Sequence, residues 1–185
     1  MFLITGLGNP SEQYENTPHN AGYMFVDRLR EYLLEETQLE ISDWKNEKKI
    51  FLSDICRIKK GGKLIGILQK PLTFMNNSGN AVQLLCNKYP PREYILAHDD
   101  LDIALCNSKV HSGKAPKSHK GVLSVESVLK DKDFLRIRIG VDNRGDRIIG
   151  GDEYVLLPYN KKELEVLKVS IDRAIEILLR EYLKL

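Results

Sequence analysis

Apolar positions along the chain fall into short blocks whose period keeps changing, and those changes divide it into alternating strands and helices. Phe2 to Thr5 is a β-favouring run that stops at the turn-formers Gly6-Leu7-Gly8-Asn9-Pro10, which predicts a buried strand emptying into a glycine-rich loop. Phe25, Val26, Leu29, Tyr32 and Leu33 then recur on one helical face. That helix must start after Pro18, because the residue before a proline is pushed out of the α region, so His19 and Asn20 fall near its first turn. Residues 50–58 and 63–69 are apolar runs flanking Lys60-Gly61-Gly62, a hairpin pattern. A polar loop from Pro71 to Gly79, with Phe74 and Met75 embedded, leads to a helix carrying Ala81, Val82, Leu85 and Tyr89. Ser78 is its expected cap and Pro90-Pro91 its stop.

Tyr94 to Ala97 reads as a second short buried strand, running straight into His98-Asp99-Asp100. Val122, Val125, Val128 and Leu129 predict a third helix. From Phe134 to Val141, Leu135, Ile137 and Ile139 alternate with Arg136 and Arg138, the pattern of a half-buried strand with a basic outer face. Leu164, Leu167, Ile171, Ala174, Ile175, Leu178 and Tyr182 mark a long amphipathic helix at the end. Strands and helices interleave with no repeat, linker or low-complexity tract, which predicts an α/β sheet covered by helices in one domain, residues 1–185.

Composition adds limits. Hydrophobic residues make up 42% and charged residues 29%, ordinary for a soluble globular chain. Cys56, Cys86 and Cys106 are odd in number and lack C-x-x-C or Cys/His ligand spacing, so they read as reduced core hydrophobes. No basic leader precedes Phe2 and no apolar run approaches a membrane span, so a soluble, cytoplasmic protein without a membrane partner is expected. The net charge of +2 says little, but its distribution is uneven: residues 109–147 hold ten Lys/Arg against five Asp/Glu. Within that region Lys109 to Lys120 contains four lysines, two histidines and no acid. Such a stretch suits a polyanion, although a solvated loop reads the same on charge alone.

Reactive polar side chains recur where the apolar blocks stop: Asn9, His19, Asn76, Asp99 and His119. A histidine at a helix start has its pKa lowered by the helix dipole and stays neutral, as a general base requires. Asp99 is placed to orient such an imidazole, and a neutral amide such as Asn9 or Asn76 can both donate and accept hydrogen bonds without adding charge. Each of these residues taken alone also has an ordinary turn or capping explanation. Gly6-x-Gly8 lacks the third glycine of a dinucleotide loop, since Ser11 stands there and Pro10 interrupts. Walker, zinc and G-x-S-x-G patterns are missing too, so no cofactor or metal is expected.

Taken in order, these segments resemble the bacterial-type peptidyl-tRNA hydrolase family over nearly the whole chain. Gly6-Leu7-Gly8-Asn9-Pro10 with Tyr14 and His19-Asn20-Ala21-Gly22 is similar to the family's opening signature. Pro71-Leu72-Thr73-Phe74-Met75-Asn76-Asn77-Ser78-Gly79 is similar to its second. His98-Asp99-Asp100-Leu101-Asp102 and Arg136-Ile137-Arg138-Ile139-Gly140-Val141 follow in the family's order. The resemblance implies a three-layer domain with a mixed, twisted sheet flanked by helices. It implies a metal-independent ester hydrolase acting on peptidyl-tRNA, as a cytoplasmic monomer with no obligate protein partner, recycling tRNA from stalled translation. His19 would be the catalytic base and Asp99 the acid that orients it. Asn9 and Asn76 would hold the peptide end and the attacking water, and Tyr14 and Met75 would line the cleft.

The same resemblance assigns tRNA phosphate to the segments of Lys109, His111, Lys114, Lys117 and Arg138, with His111 where the family often has lysine. The chain departs at Lys120, where the family places a substrate-binding asparagine, and at Pro116, which stiffens a loop usually rich in glycine. An amide that grips substrate becomes there a cation that can only donate. A relative that binds RNA without turnover is therefore the alternative, and a dinucleotide-dependent enzyme a third option. Retention of His19, Asp99, Asn9 and Asn76 together favours an active enzyme.

Overall fold

The computed structural model describes residues 1–113, 118–129 and 132–184. Its strands are β1 (Phe2–Gly6), β2 (Leu39–Ile41), β3 (Lys45–Asn46), β4 (Ser53–Lys60), β5 (Lys63–Pro71), β6 (Glu93–Ala104), β7 (Ser108–Ser112) and β8 (Leu135–Asp142). They form one mixed sheet in the order β2-β4-β5-β1-β6-β8-β7, with β3 alongside β4. β5, β1, β6 and β8 are parallel neighbours, while β4 and β7 run antiparallel to β5 and β8. The helices are α1 (Ala21–Leu34), the single turn α2 (Lys48–Phe51), α3 (Ser78–Lys88), α4 (Lys120–Val128), the short α5 (Gly151–Tyr154) and α6 (Lys161–Ile177).

The residues of β1 are buried throughout and split between the two faces. Phe2 and Ile4 pack with Phe25, Val26 and Leu29 of α1 and Leu167, Ile171 and Ile175 of α6. Leu3 packs with Ile55, Ile67 and Leu85 of α3, and Leu96 of β6 packs with Val122 and Val125 of α4. The sheet is thus the middle of three layers, as expected. α6 starts where it does because Asn160 and Glu163 form a reciprocal capping box, with Asn160 Oδ1 accepting from Glu163 N at 3.0 Å and Glu163 Oε2 from Asn160 N at 2.9 Å.

Two glycines set the distance between α1 and the sheet. A Cβ on Gly22 would lie 2.4 Å from the Ala97 carbonyl oxygen and the Leu7 nitrogen, and one on Gly6 would lie 2.1 Å from the Gly22 oxygen. The start of α1 therefore rests on backbone just past the carboxyl end of β1 and at the middle of β6.

Several local expectations need correction. The hairpin begins at Ser53, because Lys48–Phe51 closes a helical turn and Leu52 turns left-handed with φ 51°. Ser78 is the first residue of α3 and its hydroxyl donates to the Met75 carbonyl at 3.0 Å, so it does not cap the helix. Ser124 Oγ of α4 instead accepts from Gly79 N at 3.0 Å, a cap supplied by the neighbouring helix. β6 does not stop at Ala97; it runs on through His98-Asp99-Asp100, held by β8 on one side. β8 keeps a basic group on its outer face only at the half-buried Arg138. Because β8 lies between β6 and β7 under α4, Arg136 is only 1% exposed and pairs with Glu126 at 2.6 Å, and Arg138 binds Asp100. β2, β3 and β7 went unforeseen, the last lying inside the supposed basic loop. Of the cysteines, Cys56 is buried and Cys86, half-buried, packs against the core, while Cys106 is exposed, so the core reading fails for Cys106.

Candidate active site

The loop after β1, the second half of β6, the approach to α1, the turn before α3, the entry to α4 and the α5 segment surround a cleft of about 560 Å³. Asn9, Tyr14, His19, Met75, Asn76, Asp99, His119 and Lys120 all line it, so the predicted catalytic and substrate residues converge. Lys109, His111 and Arg138 do not; they lie together at the β7–β8 edge. Lys114 and Lys117 lie outside the described residues.

Asp99 is the centre of the cluster. It is 2% exposed and accepts from His19 Nδ1 at 3.0 and 3.1 Å and from His119 Nε2 at 2.7 Å. The tautomers follow from the partners. A carboxylate only accepts, so His19 Nδ1 carries the proton and its Nε2 holds the lone pair. His119 Nδ1 accepts from the backbone N–H groups of Gly121 and Val122 at 3.1 and 3.2 Å, which assigns the proton to Nε2. His119 thereby caps α4 and steadies Asp99 with the same ring, a role not read from the sequence. Behind it His98 Nδ1 donates to the Asp99 carbonyl at 2.7 Å, while its Nε2 has no partner among the described residues.

Burial is the largest single influence on Asp99 and would raise its pKa. The charges and hydrogen bonds of His119 and His19 outweigh it and hold the carboxyl well below the usual range. For His19, burial pulls the pKa down, but the Asp99 charge and hydrogen bond overcome it and the net shift is upward. Lys120 lowers the His19 value further and Asp152 raises it. The expected lowering by the helix terminus is thus overturned: His19 lies in the 3₁₀ turn Pro18–Asn20 ahead of α1, against a carboxylate. His98 goes the other way, pushed down to about 4 by burial first and then by the nearby His119.

Asn20 clasps Asn9. Its Oδ1 accepts from Asn9 N at 2.8 Å and its Nδ2 donates to Asn9 O at 3.1 Å. Asn9 Oδ1 accepts from Met75 N at 2.9 Å, which ties the loop after β1 to the turn before α3 and assigns Nδ2 as the amide's free donor end. Met75 is buried and Asn76 is exposed on the same turn. Lys120 pairs with Asp152 of α5 at 3.0 Å, and both side chains are exposed at the cleft. Residues 151, 155 and 156 form a wall of it, and the Val155 carbonyl accepts from His19 N at 2.9 Å. No motif marks Asp152, because its role depends on the unusual lysine opposite. Ring nitrogens of His19 and His119 and an oxygen of Asp99 lie within 4.8 Å of one another, close enough for a metal ion to bridge. Here the hydrogen-bonded protons described above occupy those positions.

No helix among the described residues is long and apolar enough to cross a membrane. The peptidyl-tRNA hydrolase family profile matches residues 3–184. A peptidyl-tRNA hydrolase of Aquifex aeolicus is 35% identical over 180 residues, covering 96% of this chain and 88% of that protein. One from Thermodesulfovibrio yellowstonii is 36% identical, covering 95% and 89%. The crystal structure of peptidyl-tRNA hydrolase from Acinetobacter baumannii superposes with a TM-score of 0.81 at 28% identity, covering 100% of this chain and 91% of that one. With its profile matched almost end to end, this chain belongs to the peptidyl-tRNA hydrolase family.

Proposed function

We propose that the chain hydrolyses the ester joining a peptide to the 3′ end of tRNA, with His19 as the base that activates water. The observation that carries this is the orientation of His19: its Nδ1 is committed to Asp99, and its ring lines the cleft beside Asn9 and Asn76. Nε2 takes a proton from water as its oxygen attacks the ester carbonyl, and Asp99 stabilises the imidazolium; the tetrahedral intermediate then collapses, the bond to the 3′ oxygen of tRNA breaks, and that oxygen takes the proton back from Nε2. A positioned base of this kind is typically worth roughly 10²–10⁴ in rate. Asn9 Nδ2 and the Asn76 amide supply neutral donors for the oxyanion and the peptide end. Tyr14 and Met75 give the cleft its shape. Lys120 is paired with Asp152 at the rim and keeps further N–H donors for substrate.

Lys109 and Arg138, with His111 beside Arg138, supply tRNA phosphate contacts, as do Lys114 and Lys117 by resemblance. Such contacts give affinity without base readout and weaken with salt. The protein then acts as a cytoplasmic monomer recycling tRNA. The test is to incubate it with N-acetyl-aminoacyl-tRNA and with aminoacyl-tRNA and follow release of each. Selective release of the blocked form supports the proposal; binding with release of neither supports an RNA-binding relative without turnover.

A further inference from the structure

We propose that the Lys120–Asp152 pair selects substrates by the charge on the nitrogen next to the ester. It opposes the free α-ammonium of an ordinary aminoacyl-tRNA and admits the neutral nitrogen of a blocked one. This rests on reading the cleft as the place where that ester is cut.

The arrangement of charge around the cleft decides what an ammonium meets there. β6 supplies three carboxylates. Asp99 is held between two imidazoles, Asp100 is paired with Arg138 at 2.6 Å, and Asp102 is exposed. α5 adds Asp152, and the turn ahead of α1 adds His19. The loop after β1 and the turn before α3 contribute neutral side chains. Lys120, at the start of α4, is the single lysine or arginine lining the cleft among the described residues.

The reacting carbonyl carbon must come within about 3.5 Å of the water on His19, and the α-nitrogen is two bonds from that carbon. An α-ammonium therefore enters a space that holds more acid than base. Were Asp152 unpaired, it would offer that ammonium a carboxylate. Lys120 prevents this in two ways. Its Nζ donates to Asp152 Oδ2 at 3.0 Å, so the carboxylate already has a cation. Its own charge then repels a second one. Of the two partners, Lys120 acts more strongly on His19 than Asp152 does, so the pair turns its positive end toward the reacting centre. A blocked nitrogen is an amide, carries no charge and meets no such opposition. A neutral side chain at position 120 would neither occupy Asp152 with a cation nor repel an ammonium. The two side chains are 62% and 86% exposed, so water screens them and the discrimination is worth roughly three- to tenfold rather than many orders of magnitude.

The test uses three esters of one tRNA. Phenylalanyl-tRNA carries the ammonium, phenyllactyl-tRNA has a hydroxyl in its place, and N-acetylphenylalanyl-tRNA has a neutral amide. The ratio of kcat/KM for phenyllactyl-tRNA to that for phenylalanyl-tRNA isolates the charge. Any change in the basicity of His19 acts on both esters and cancels, and their intrinsic reactivities are common to all variants. Rates are measured at low salt and at about pH 6, below the α-amino range of about 7.7–8.0, so the ammonium stays charged. Wild type is expected to favour the hydroxyl ester. Lys120→Met should lower that preference by roughly three- to tenfold. Asp152→Asn, which leaves the lysine without its counter-charge, should raise it, and the double variant should fall between. Lys120→Arg, which keeps the charge, should retain the wild-type ratio. Both positions are exposed, and release from the N-acetyl ester reports that each variant keeps a working site. An unchanged ratio in Lys120→Met would overturn the proposal, as would a shift in the same direction in Lys120→Met and Asp152→Asn. A wild type that binds tRNA but releases none of the three esters defeats the underlying reading instead.

Discussion

Lys120 Nζ lies 3.0 Å from Asp152 Oδ2, which ties the start of α4 to α5 across the rim of the cleft. Both groups also act on His19, in opposite directions. As a base His19 works in its neutral form, so the rate rises with pH through its pKa, which Asp99 has moved above the ordinary imidazole value of about 6.5. Asp152→Asn should move the ascending limb of the kcat/KM profile to lower pH, and Lys120→Asn should move it higher. Activity of Lys120→Asn on the high-pH plateau should equal or exceed wild type. Stability should change little, since exposed pairs contribute roughly 0–1 kcal/mol. Profiles moving the same way in both variants would rule out this electrostatic account.

His19→Ala is expected to lose roughly 10²–10⁴ in kcat/KM while keeping tRNA affinity. Single-turnover release from N-acetyl-aminoacyl-tRNA, beside a binding isotherm, separates the two. Wild-type cleavage by this variant would show the assigned base to be wrong.

Asn9→Asp keeps the oxygen that accepts from Met75 N but loses the Nδ2 donor. Asn9→Ala loses both and leaves a buried N–H unpaired, at a cost of about 1–3 kcal/mol. Denaturant melts should therefore show Asn9→Ala clearly less stable than Asn9→Asp. Both should be slower by about 10²–10³ if the donor stabilises the oxyanion. A fully active Asn9→Asp would remove the oxyanion role and leave Asn9 as a loop tie.

His98 binds a proton in the unfolded chain near pH 6.5 but in the folded chain only near pH 4. Between those values the unfolded state takes up the extra proton, so folding stability falls as pH falls, by about 3 kcal/mol in all. His98→Asn, which retains a donor for the Asp99 carbonyl, should flatten this part of the stability curve. Equal pH dependence in the two proteins, measured by urea unfolding between those pH values, would contradict it.

Gly22→Ala would place a methyl 2.4 Å from the Ala97 oxygen. Overpacking at backbone typically costs about 1–3 kcal/mol, and relief here must lift the turn that carries His19. Both the melting temperature and the rate well below it should drop. Loss of stability with an unchanged rate would mean that α1 moves without the base.

The strongest periods in the sequence survived folding intact: Phe25 to Leu33 and Leu164 to Leu178 pack on the sheet as their spacing requires. The cluster of His19, Asp99, Asn9 and Asn76 was legible because short motifs ended each apolar block. Arg136 was misread because alternation reports which residues share a face, not whether that face is covered. β7 was missed because Lys109, His111 and the polar Ser108 and Ser112 look like loop when only one strand pairs with them. His119 was seen as a retained loop residue, but its shared grip on Asp99 spans 20 positions and needs the register of two elements to appear.

Because β6 carries Asp99 within its length rather than at its tip, the anion's position is inherited from the ladder that joins β6 to β8. The imidazoles come to it from a short turn and a helix entry. Evolutionary change in the rim can then alter which peptides enter without retuning the proton chemistry, since the datum to which both rings are aligned does not move with the rim.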